Sequence, residues 1–396
     1  MSITKRALCV SPSLTLAITA KAKKMKAEGI NVIGFGAGEP DFNTPDFIID
    51  AAKDALDKGK TKYTPSSGLP ELKKAICRKL KEDNGLDYLP SQIIVSNGAK
   101  HSLFNAIQAI IEEGDEVIIP APYWLSYPEL VKMSGGIPVF VDCSDIGFKI
   151  NAERLEKAIT AKTKLLILNS PSNPTGAVYS KEELYALAAV IEKTGIYVLS
   201  DEIYEKLVYG GAQHYSIAAY SDKLYSKTVL VNGMSKSYSM TGWRIGYLAC
   251  EEKLAKAIDG MQSHATSNPN TIAQWASVAA LEKGGEFIKS MQKTFDDRRR
   301  YMYERLKNMN YIDCPEPKGA FYVFVNVKGL FGRSFKGVKI ENCLKLTELL
   351  LENVQVAVVP GNAFGAEDYI RLSYAVSMDE IKDGMDRIEK FISMTE

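Results

Sequence analysis

Residues 165–176 read LLILNSPSNPTG, residues 197–204 read YVLSDEIY, and residues 228–236 read TVLVNGMSK. Each stretch begins with an apolar run of strand length and continues into polar residues. Similar apolar runs occur at 93–96, 117–119, 139–141 and 246–249. Segments with apolar residues at helical spacing, such as 102–112 and 181–193, separate the runs. This alternation predicts an α/β fold in which helices sandwich a mostly parallel sheet.

The pattern changes after about residue 285. From there the sequence predicts a long charged helix at 287–308, strands at 320–327, 356–359 and 369–374, a loop at 328–339, and helices at 342–352 and 378–394. These elements indicate a smaller α+β domain. We therefore expect an N-terminal arm over 1–45 that packs with the small domain, a large domain over 46–285 and a small domain over 286–396.

The composition excludes several classes of protein. The 396 residues are 46% hydrophobic and 24% charged with a net charge of +1, which argues against disorder and extensive nucleic-acid binding. No apolar run approaches the roughly 20 residues that span a bilayer. Six scattered cysteines and three histidines offer little for a zinc site. Dispersed thiols suit a reducing compartment, so the expected location is the cytoplasm.

Polar clusters follow four of the predicted strands, at 96–100, 169–176, 201–204 and 232–236. Because ligands bind beyond the carboxyl ends of strands in an open parallel sheet, these clusters predict one site at one sheet edge. Nucleotide motifs do not explain it: 34–38 lacks the last glycine of Gly-x-Gly-x-x-Gly, and position 54 is Asp where a P-loop ending at 59–61 requires Gly. Together the clusters offer an amine, a carboxylate, a phenol, an amide and a helix start. A carbonyl cofactor with a basic ring and a phosphate would use all of these groups.

The order of these motifs resembles one known family. Asn-Pro-Thr-Gly at 173–176, Asp-Glu-x-Tyr at 201–204, and Ser-Lys at 235–236 followed eight residues later by Arg are similar to class I pyridoxal-phosphate (PLP) aminotransferases, closest to the bacterial aspartate branch. The similarity extends from AGEPDF at 37–42 to RLSY at 371–374. It implies the PLP transferase fold, a homodimer with shared active sites, and ping-pong transfer of the amino group of L-aspartate to 2-oxoglutarate.

The resemblance implies how the cofactor is held. Lys236 would bind the PLP aldehyde covalently and, once displaced, carry the proton between substrate and cofactor. Asp201 would oppose the ring nitrogen, and Tyr204, on the same face of an expected helix, would bind the phenolic oxygen together with Asn173. Seven further residues would hold the phosphate and the ring: Gly98, Ala99, Lys100, Ser235, Arg244, the stacking Trp124, and Tyr63 of the neighbouring subunit.

The resemblance also implies the substrate contacts. Arg371 would grip the α-carboxylate with a two-point fork, beside Gly38, where the backbone approaches the substrate closely. Trp124 and Asn173 would also line this part of the site. Three residues would meet the distal carboxylate of aspartate: Lys100, Ser13 and Thr15. Relatives that accept prephenate tend to carry a lysine before the proline that is Pro12 here, whereas this chain has Ser11.

Structural roles are the alternative for several of these residues: a surface lysine for Lys236, a helix N-cap for Asp201, core packing for Trp124 and a surface salt bridge for Arg371. The alternative functions are an aminotransferase of broader specificity, for aromatic amino acids or prephenate, and a PLP-dependent carbon–sulfur lyase. The PLP-binding half of a transcription regulator would need a DNA-binding domain, and a nicotinamide dehydrogenase would need the missing glycine motif.

Overall fold

The computed structural model describes residues 3–12 and 14–396. Its helices are α1 (Lys5–Leu8), α2 (Leu14–Ala27), α3 (Asp46–Asp57), α4 (Pro70–Asn84), α5 (Ala99–Ile110), α6 (Ser126–Met133), α7 (Ala152–Ala158), α8 (Lys181–Thr194), α9 (Asp222–Lys227), α10 (Glu252–Ala265), α11 (Thr271–Lys283), α12 (Gly285–Lys307), α13 (Cys343–Val354) and α14 (Met378–Ser393). Its strands are β1 (Ile33–Gly34), β2 (Ile93–Ser96), β3 (Glu116–Ala121), β4 (Ile137–Asp142), β5 (Thr163–Asn169), β6 (Tyr197–Asp201), β7 (Thr228–Gly233), β8 (Gly246–Ala249), β9 (Tyr322–Asn326), β10 (Ser334–Phe335), β11 (Val338–Lys339), β12 (Val356–Ala357), β13 (Val359–Pro360) and β14 (Tyr369–Ser373).

The large sheet has seven strands in the order β2-β8-β7-β6-β5-β3-β4. Every neighbouring pair is parallel except the two that involve β8, which runs antiparallel to both β2 and β7. The predicted α/β fold with a mostly parallel sheet is therefore confirmed. Because β8 is reversed, the residues that precede it lie at the same edge as the residues that follow the other strands.

The inner strands of this sheet are mostly apolar and buried, because helices cover both faces of the sheet, whereas the edge strand β4 is partly exposed. Along β5, Leu165 and Ile167 point to a cluster with residues of α5 and α10. The alternate residues, Leu166 and Leu168, point to a cluster with residues of α7 and α8. This period of two fixes which polar residues emerge at the carboxyl end of the strand.

The second sheet is antiparallel, in the order β13-β14-β9, and packs on α12, α13 and α14. The prediction of a single strand at 356–359 is wrong. The segment divides at Val358 into β12, which pairs with β1, and β13, which pairs with β14. The chain changes partner there, and one strand cannot pair along the same edge with both. The loop predicted at 328–339 contains a short hairpin, β10–β11.

The N-terminal segment is joined to the strands that follow residue 355 by strand pairing and by hydrogen bonds. Ile33 and Gly34 pair with Val356 and Ala357, and the backbone N–H of Ser373 donates to the Phe35 carbonyl at 2.8 Å. The boundaries at residues 45 and 285 remain predictions. In the part of the chain that the structure describes, no helix combines the length and apolarity that crossing a membrane requires.

Candidate active site

A cavity of about 310 Å³ lies at the carboxyl edge of the large sheet, closed on one side by β9 and β14 of the second sheet. Most of the predicted site residues line it: Thr15, Gly38, Ala99, Lys100, Trp124, Asn173, Asp201, Tyr204, Ser235, Lys236, Arg244 and Arg371. Gly98 packs behind the Arg244 guanidinium, and Tyr63 lies outside the cavity with 91% of its surface exposed. Ser13 lies outside the described residues. The chain thus brings one cluster together from both sheets.

Asp201 ends β6 as a buried carboxylate with neutral partners. Its Oδ2 accepts a hydrogen bond from the Tyr127 hydroxyl at 2.7 Å, and its Oδ1 accepts one from the backbone N–H of Ile203 at 3.3 Å. Burial nevertheless raises the pKa of Asp201 to about 6. The helix expected over 201–204 is absent, because the strand is followed by a turn, so the N-cap alternative for Asp201 is also wrong.

Lys236 points its amine into the cavity, where Nζ donates to the Gly38 carbonyl at 2.5 Å. Among the described residues, no carboxylate forms an ion pair with this amine. Burial lowers the pKa of Lys236 to about 8; Arg244 and Arg371 act in the same direction, whereas Glu39 and Asp201 oppose it. The surface-lysine alternative is therefore wrong, and the amine is partly uncharged in mildly alkaline solution.

The start of α5 forms a concave backbone surface against Arg244. Gly98 has a φ of 86°, and a Cβ there would collide with the Arg244 guanidinium. Arg244 is held by bonds from Nη1 to the Thr241 carbonyl at 2.8 Å and from Nη2 to the Asn97 carbonyl at 3.3 Å. A Cβ at Gly246 on β8 would overlap the Ala99 backbone, so strand and helix start touch directly. Free N–H groups beside a guanidinium suit an anion.

Arg371 on β14 is a buried cation, 2% exposed, and the surface salt-bridge alternative is wrong. Nη1 donates to Asn173 Oδ1 at 2.8 Å and Nη2 to the Gly36 carbonyl at 3.0 Å. The guanidinium lies 4.3 Å from the ring centroid of Tyr322, and its Nε has no hydrogen-bond partner among the described residues. Burial lowers its pKa. A buried guanidinium with an unused donor is suited to an incoming carboxylate.

Lys100 and Trp124 line the same cavity and contact each other. Lys100 Nζ lies 4.9 Å from the centroid of the Trp124 ring, and burial, together with Arg244, lowers the pKa of this lysine. The Trp124 ring faces the cavity, so core packing alone does not describe it. At Gly38, a Cβ would make only an ordinary contact with the Tyr322 hydroxyl at 3.6 Å. The packing of the chain therefore does not by itself demand glycine at this position.

The lining residues that were missed from the sequence include three that bond to predicted ones: Asn169, Tyr127 and Tyr322. Asn169 ends β5, donates to the Asp201 carbonyl at 3.0 Å and accepts from the Asn173 N–H at 2.8 Å. It lies within a strand-end cluster, which was the available signal. Tyr322 contacts the Tyr204 hydroxyl at 2.9 Å from the other sheet, and no local pattern indicates that pairing.

Comparisons with known proteins agree with this geometry. The family described as "Aminotransferase class I and II" matches residues 30–388. The aspartate aminotransferase of Geobacillus stearothermophilus is 50% identical over 99% of both chains. A probable aspartate/prephenate aminotransferase of Aquifex aeolicus is 48% identical over 96% of both chains. The crystal structure of the aspartate aminotransferase from Rhizobium meliloti superposes with a TM-score of 0.97 at 43% identity and covers 100% of both chains.

Proposed function

The chain belongs to the class I and II aminotransferases, enzymes that use PLP, and we propose that it transfers the amino group of L-aspartate to 2-oxoglutarate in a ping-pong cycle. The products are oxaloacetate and L-glutamate. The observation that carries the proposal is a set of cations in one cavity, Lys236, Arg244, Lys100 and Arg371, without an ion-paired carboxylate among the described residues. A phosphate and a dicarboxylate substrate would neutralise such a set.

The cavity residues fit PLP. Gly98 leaves room for the Arg244 guanidinium at the helix start, which suits the phosphate. Asp201 is a buried carboxylate that forms no ion pair with any described residue, which suits a ring N–H. When bound, PLP supplies an aldehyde for an amine and a cationic ring that withdraws electrons from the substrate α-carbon. Lys236 would hold the aldehyde. Asn173 and Tyr204 would donate to the ring oxygen.

The positions of the side chains support the remaining cofactor contacts that we propose. Ala99, Lys100 and Ser235 border the helix start, where they would hold the phosphate together with Gly98 and Arg244. Trp124 would cover one face of the ring. These contacts would orient the cofactor so that only its reactive end faces the substrate.

Arg371 would bind the α-carboxylate of the substrate beside Gly38, Asn173 and Trp124. Lys100 would meet the distal carboxylate, with Thr15 and Ser13 from the N-terminal arm. A substrate with a large apolar side chain would leave the Lys100 charge unpaired in a closed site, which disfavours it by about 1–3 kcal/mol. Both carboxylates would thus fix the substrate, and movement of the second sheet toward the first would exclude water.

Lys236 would also move the proton. Its pKa of about 8 places the amine near the pH at which a general base works efficiently. Nζ would take the proton from the substrate α-carbon and deliver it to the cofactor carbon that receives the amino group, and in the second half of the cycle it would carry a proton in the opposite direction. Asp201, kept anionic by the Tyr127 hydroxyl, would hold the ring N–H in place during both steps.

Prephenate is the second candidate for the amino-group acceptor, because a relative at 48% identity is named a probable aspartate/prephenate aminotransferase. Two features weigh against it here. Ser11 stands at the position where such relatives tend to have lysine. Its backbone N–H donates to a Glu129 carboxylate oxygen at 3.0 Å, so a negative charge lies beside it. The dicarboxylate pair is therefore the primary proposal.

We also propose that the protein is a cytoplasmic homodimer. The observation behind the dimer is Tyr63, a large aromatic that is 91% exposed and remote from the cavity of its own chain. In a dimer it would reach the phosphate in the neighbouring subunit. Light scattering on the holoenzyme tests the dimer, and a monomer with full activity would contradict it.

A panel of half-reactions tests the proposed function. The PLP-loaded protein is mixed with single L-amino acids, and the loss of the cofactor absorption band is followed by stopped flow. Aspartate and glutamate should react fastest, and 2-oxoglutarate should restore the band faster than prephenate. A faster reaction with cysteine conjugates that releases pyruvate and a thiol would favour the lyase. Lys236→Ala provides the unreactive control.

A further inference from the structure

Two tyrosine hydroxyls meet across the cavity from opposite sheets. Tyr204 follows β6 of the large sheet, and Tyr322 is the first residue of β9 in the second sheet. Their oxygen atoms are 2.9 Å apart, both side chains are buried, and both line the cavity. The pair is therefore a direct polar link between the two sheets at the site.

The number of protons on the pair limits how it can be arranged. Each phenol has one O–H, and the hydrogen bond between the two oxygens uses one of the two protons. Among the described residues, the Tyr322 hydroxyl has no other hydrogen-bond partner than Tyr204. If Tyr204 donates to the cofactor, its proton is committed, and the proton between the two oxygens must belong to Tyr322.

We propose that Tyr322 is a positioning residue whose hydroxyl donates to Tyr204 and so directs the Tyr204 proton into the cavity, toward the ring oxygen of bound PLP. This inference rests on the proposed function and deepens it. A hydroxyl that accepts a hydrogen bond becomes a stronger donor, because the chain of bonds is polarised in one direction. Tyr322 would therefore help to keep the ring oxygen of the cofactor ionised.

The packing around the pair holds both rings in place. The Tyr204 ring meets the Tyr322 ring at 81° with centroids 5.9 Å apart, and the Phe321 ring at 85° and 5.4 Å. The Arg371 guanidinium lies 4.3 Å from the centroid of the Tyr322 ring. Replacing Tyr322 with phenylalanine removes the hydroxyl while keeping the ring that Arg371 stacks on.

The charges that face the pair are the same in the wild type and in that variant. Lys236 Nζ lies 6.0 Å from the Tyr204 ring, and Asp201 and Arg371 also act on Tyr204; Glu39 and Arg244 act on Lys236. Burial raises the pKa of both tyrosines, so both keep their protons at neutral pH. A change in the titration of the bound cofactor can then be attributed to the missing hydroxyl.

The test is a spectral titration of the holoenzyme, which needs no turnover. The pH at which the absorption band of bound PLP changes is measured for the wild type, Tyr322→Phe, Tyr204→Phe and the double variant. Tyr204→Phe should raise this pH by about one unit, because a hydrogen bond to a charged oxygen is lost. Tyr322→Phe should raise it by about a third as much. In the Tyr204→Phe background, removing the second hydroxyl should have no further effect.

Tyr209→Phe is the matched control, because it removes another buried tyrosine hydroxyl, one that donates to the Ala320 carbonyl at 2.8 Å outside the cavity. It should leave the titration unchanged. The inference would be overturned if Tyr322→Phe left the pH midpoint of the PLP band unchanged. It would also be overturned if Tyr322→Phe shifted this midpoint equally in the wild type and in the Tyr204→Phe variant. In either case the proposed function would stand. A wild-type protein without a PLP band would overturn both.

Discussion

Two buried carboxylates, Asp201 at the end of β6 and Glu205 in the turn that follows, have different hydrogen-bond and ion-pair partners. Asp201 accepts hydrogen bonds from a phenol and a backbone N–H, faces the cavity, and has a pKa raised by burial to about 6. Glu205 pairs with the Lys79 ammonium and accepts from Asn84 Nδ2 at 3.1 Å. Burial raises the pKa of Glu205, but Lys79, together with His214 and Lys206, outweighs burial and lowers this pKa to about 2. One carboxylate is left available to a ligand, and the other is neutralised by the protein.

Lys79 and Lys236 differ in the same way. Lys79 Nζ contacts Glu205, Asp83 at 3.6 Å and Asn84 Oδ1 at 2.8 Å. The Lys236 amine has the Gly38 carbonyl as its hydrogen-bond acceptor and a pKa of about 8. Complete pairing makes a charged group structural, whereas incomplete pairing in a cavity lowers the stability of the empty protein and makes the group available for chemistry.

The largest expected effect is that of Lys236→Ala. Turnover should fall by about ten thousandfold, because the variant loses the covalent attachment and the base together. The absorption band of bound PLP should disappear while the thermal midpoint of the cofactor-free protein is kept. Steady-state kinetics and a spectrum check this, and a variant with the wild-type band and rate would place the reactive amine elsewhere.

Lys79→Ala should act on stability instead. It leaves the Glu205 charge buried without its partner, so the free energy of unfolding should drop by about 3–5 kcal/mol. The rate per folded molecule should stay at the wild-type level. Urea unfolding measures the loss, and the double variant Lys79→Met/Glu205→Leu should recover most of it. A large loss of rate in the folded Lys79→Ala protein would contradict the division between the two clusters.

The pH dependence of stability should reveal Glu205. Its pKa is 4.5 when unfolded and about 2 when folded, so its contribution is fully present above 4.5 and is lost as the pH falls through 2. The contribution amounts to about 3 kcal/mol. Unfolding of wild type and Glu205→Gln at pH 7, 4 and 2.5 checks this. The difference between them should shrink toward the lowest pH, and a constant difference would be inconsistent with the lowered pKa.

For Asp201, the contribution of the carboxylate to stability should change with pH in the opposite direction, and Asp201→Asn tests this. Folding raises the pKa of Asp201 from 3.8 to about 6, so ionisation destabilises the cofactor-free protein as the pH rises between those values. At pH 8 the variant should be more stable than wild type, by up to about 3 kcal/mol. Its turnover with PLP should fall by about 100-fold. A variant that is less stable and fully active would contradict both roles.

The smallest expected effect is that of Lys100→Met on substrate choice. The kcat/KM for aspartate should fall by about tenfold to 100-fold, because a charge-assisted contact to the distal carboxylate is lost. The value for alanine should fall much less. Equal losses for both amino acids would make Lys100 a phosphate or structural residue.

The strand-end rule predicted part of the cavity lining, including Asn173, Asp201 and Lys236, whereas Trp124, Gly38 and Arg371 came from the resemblance to a family. The apolar runs at 93–96 and 246–249 coincide with β2 and β8. Asp201 ends β6 and Lys236 follows shortly after β7, as expected for ligand-binding residues at the carboxyl ends of parallel strands. The division of 356–359 into two strands depends on which partners lie nearby, which a local pattern does not contain. Tyr127 and Tyr322 were missed for the same reason, since each acts through a residue distant in the chain.

Chemical trapping is the most direct test of the contrast between Lys79, which is ion-paired with Glu205, and Lys236, which has no ion pair among the described residues. The protein is incubated with PLP, reduced with borohydride and mapped by peptide mass spectrometry. One label per chain, on Lys236, with Lys79 unmodified, is the expected result. Label on another lysine with Lys236 free, or no label at all, would contradict it.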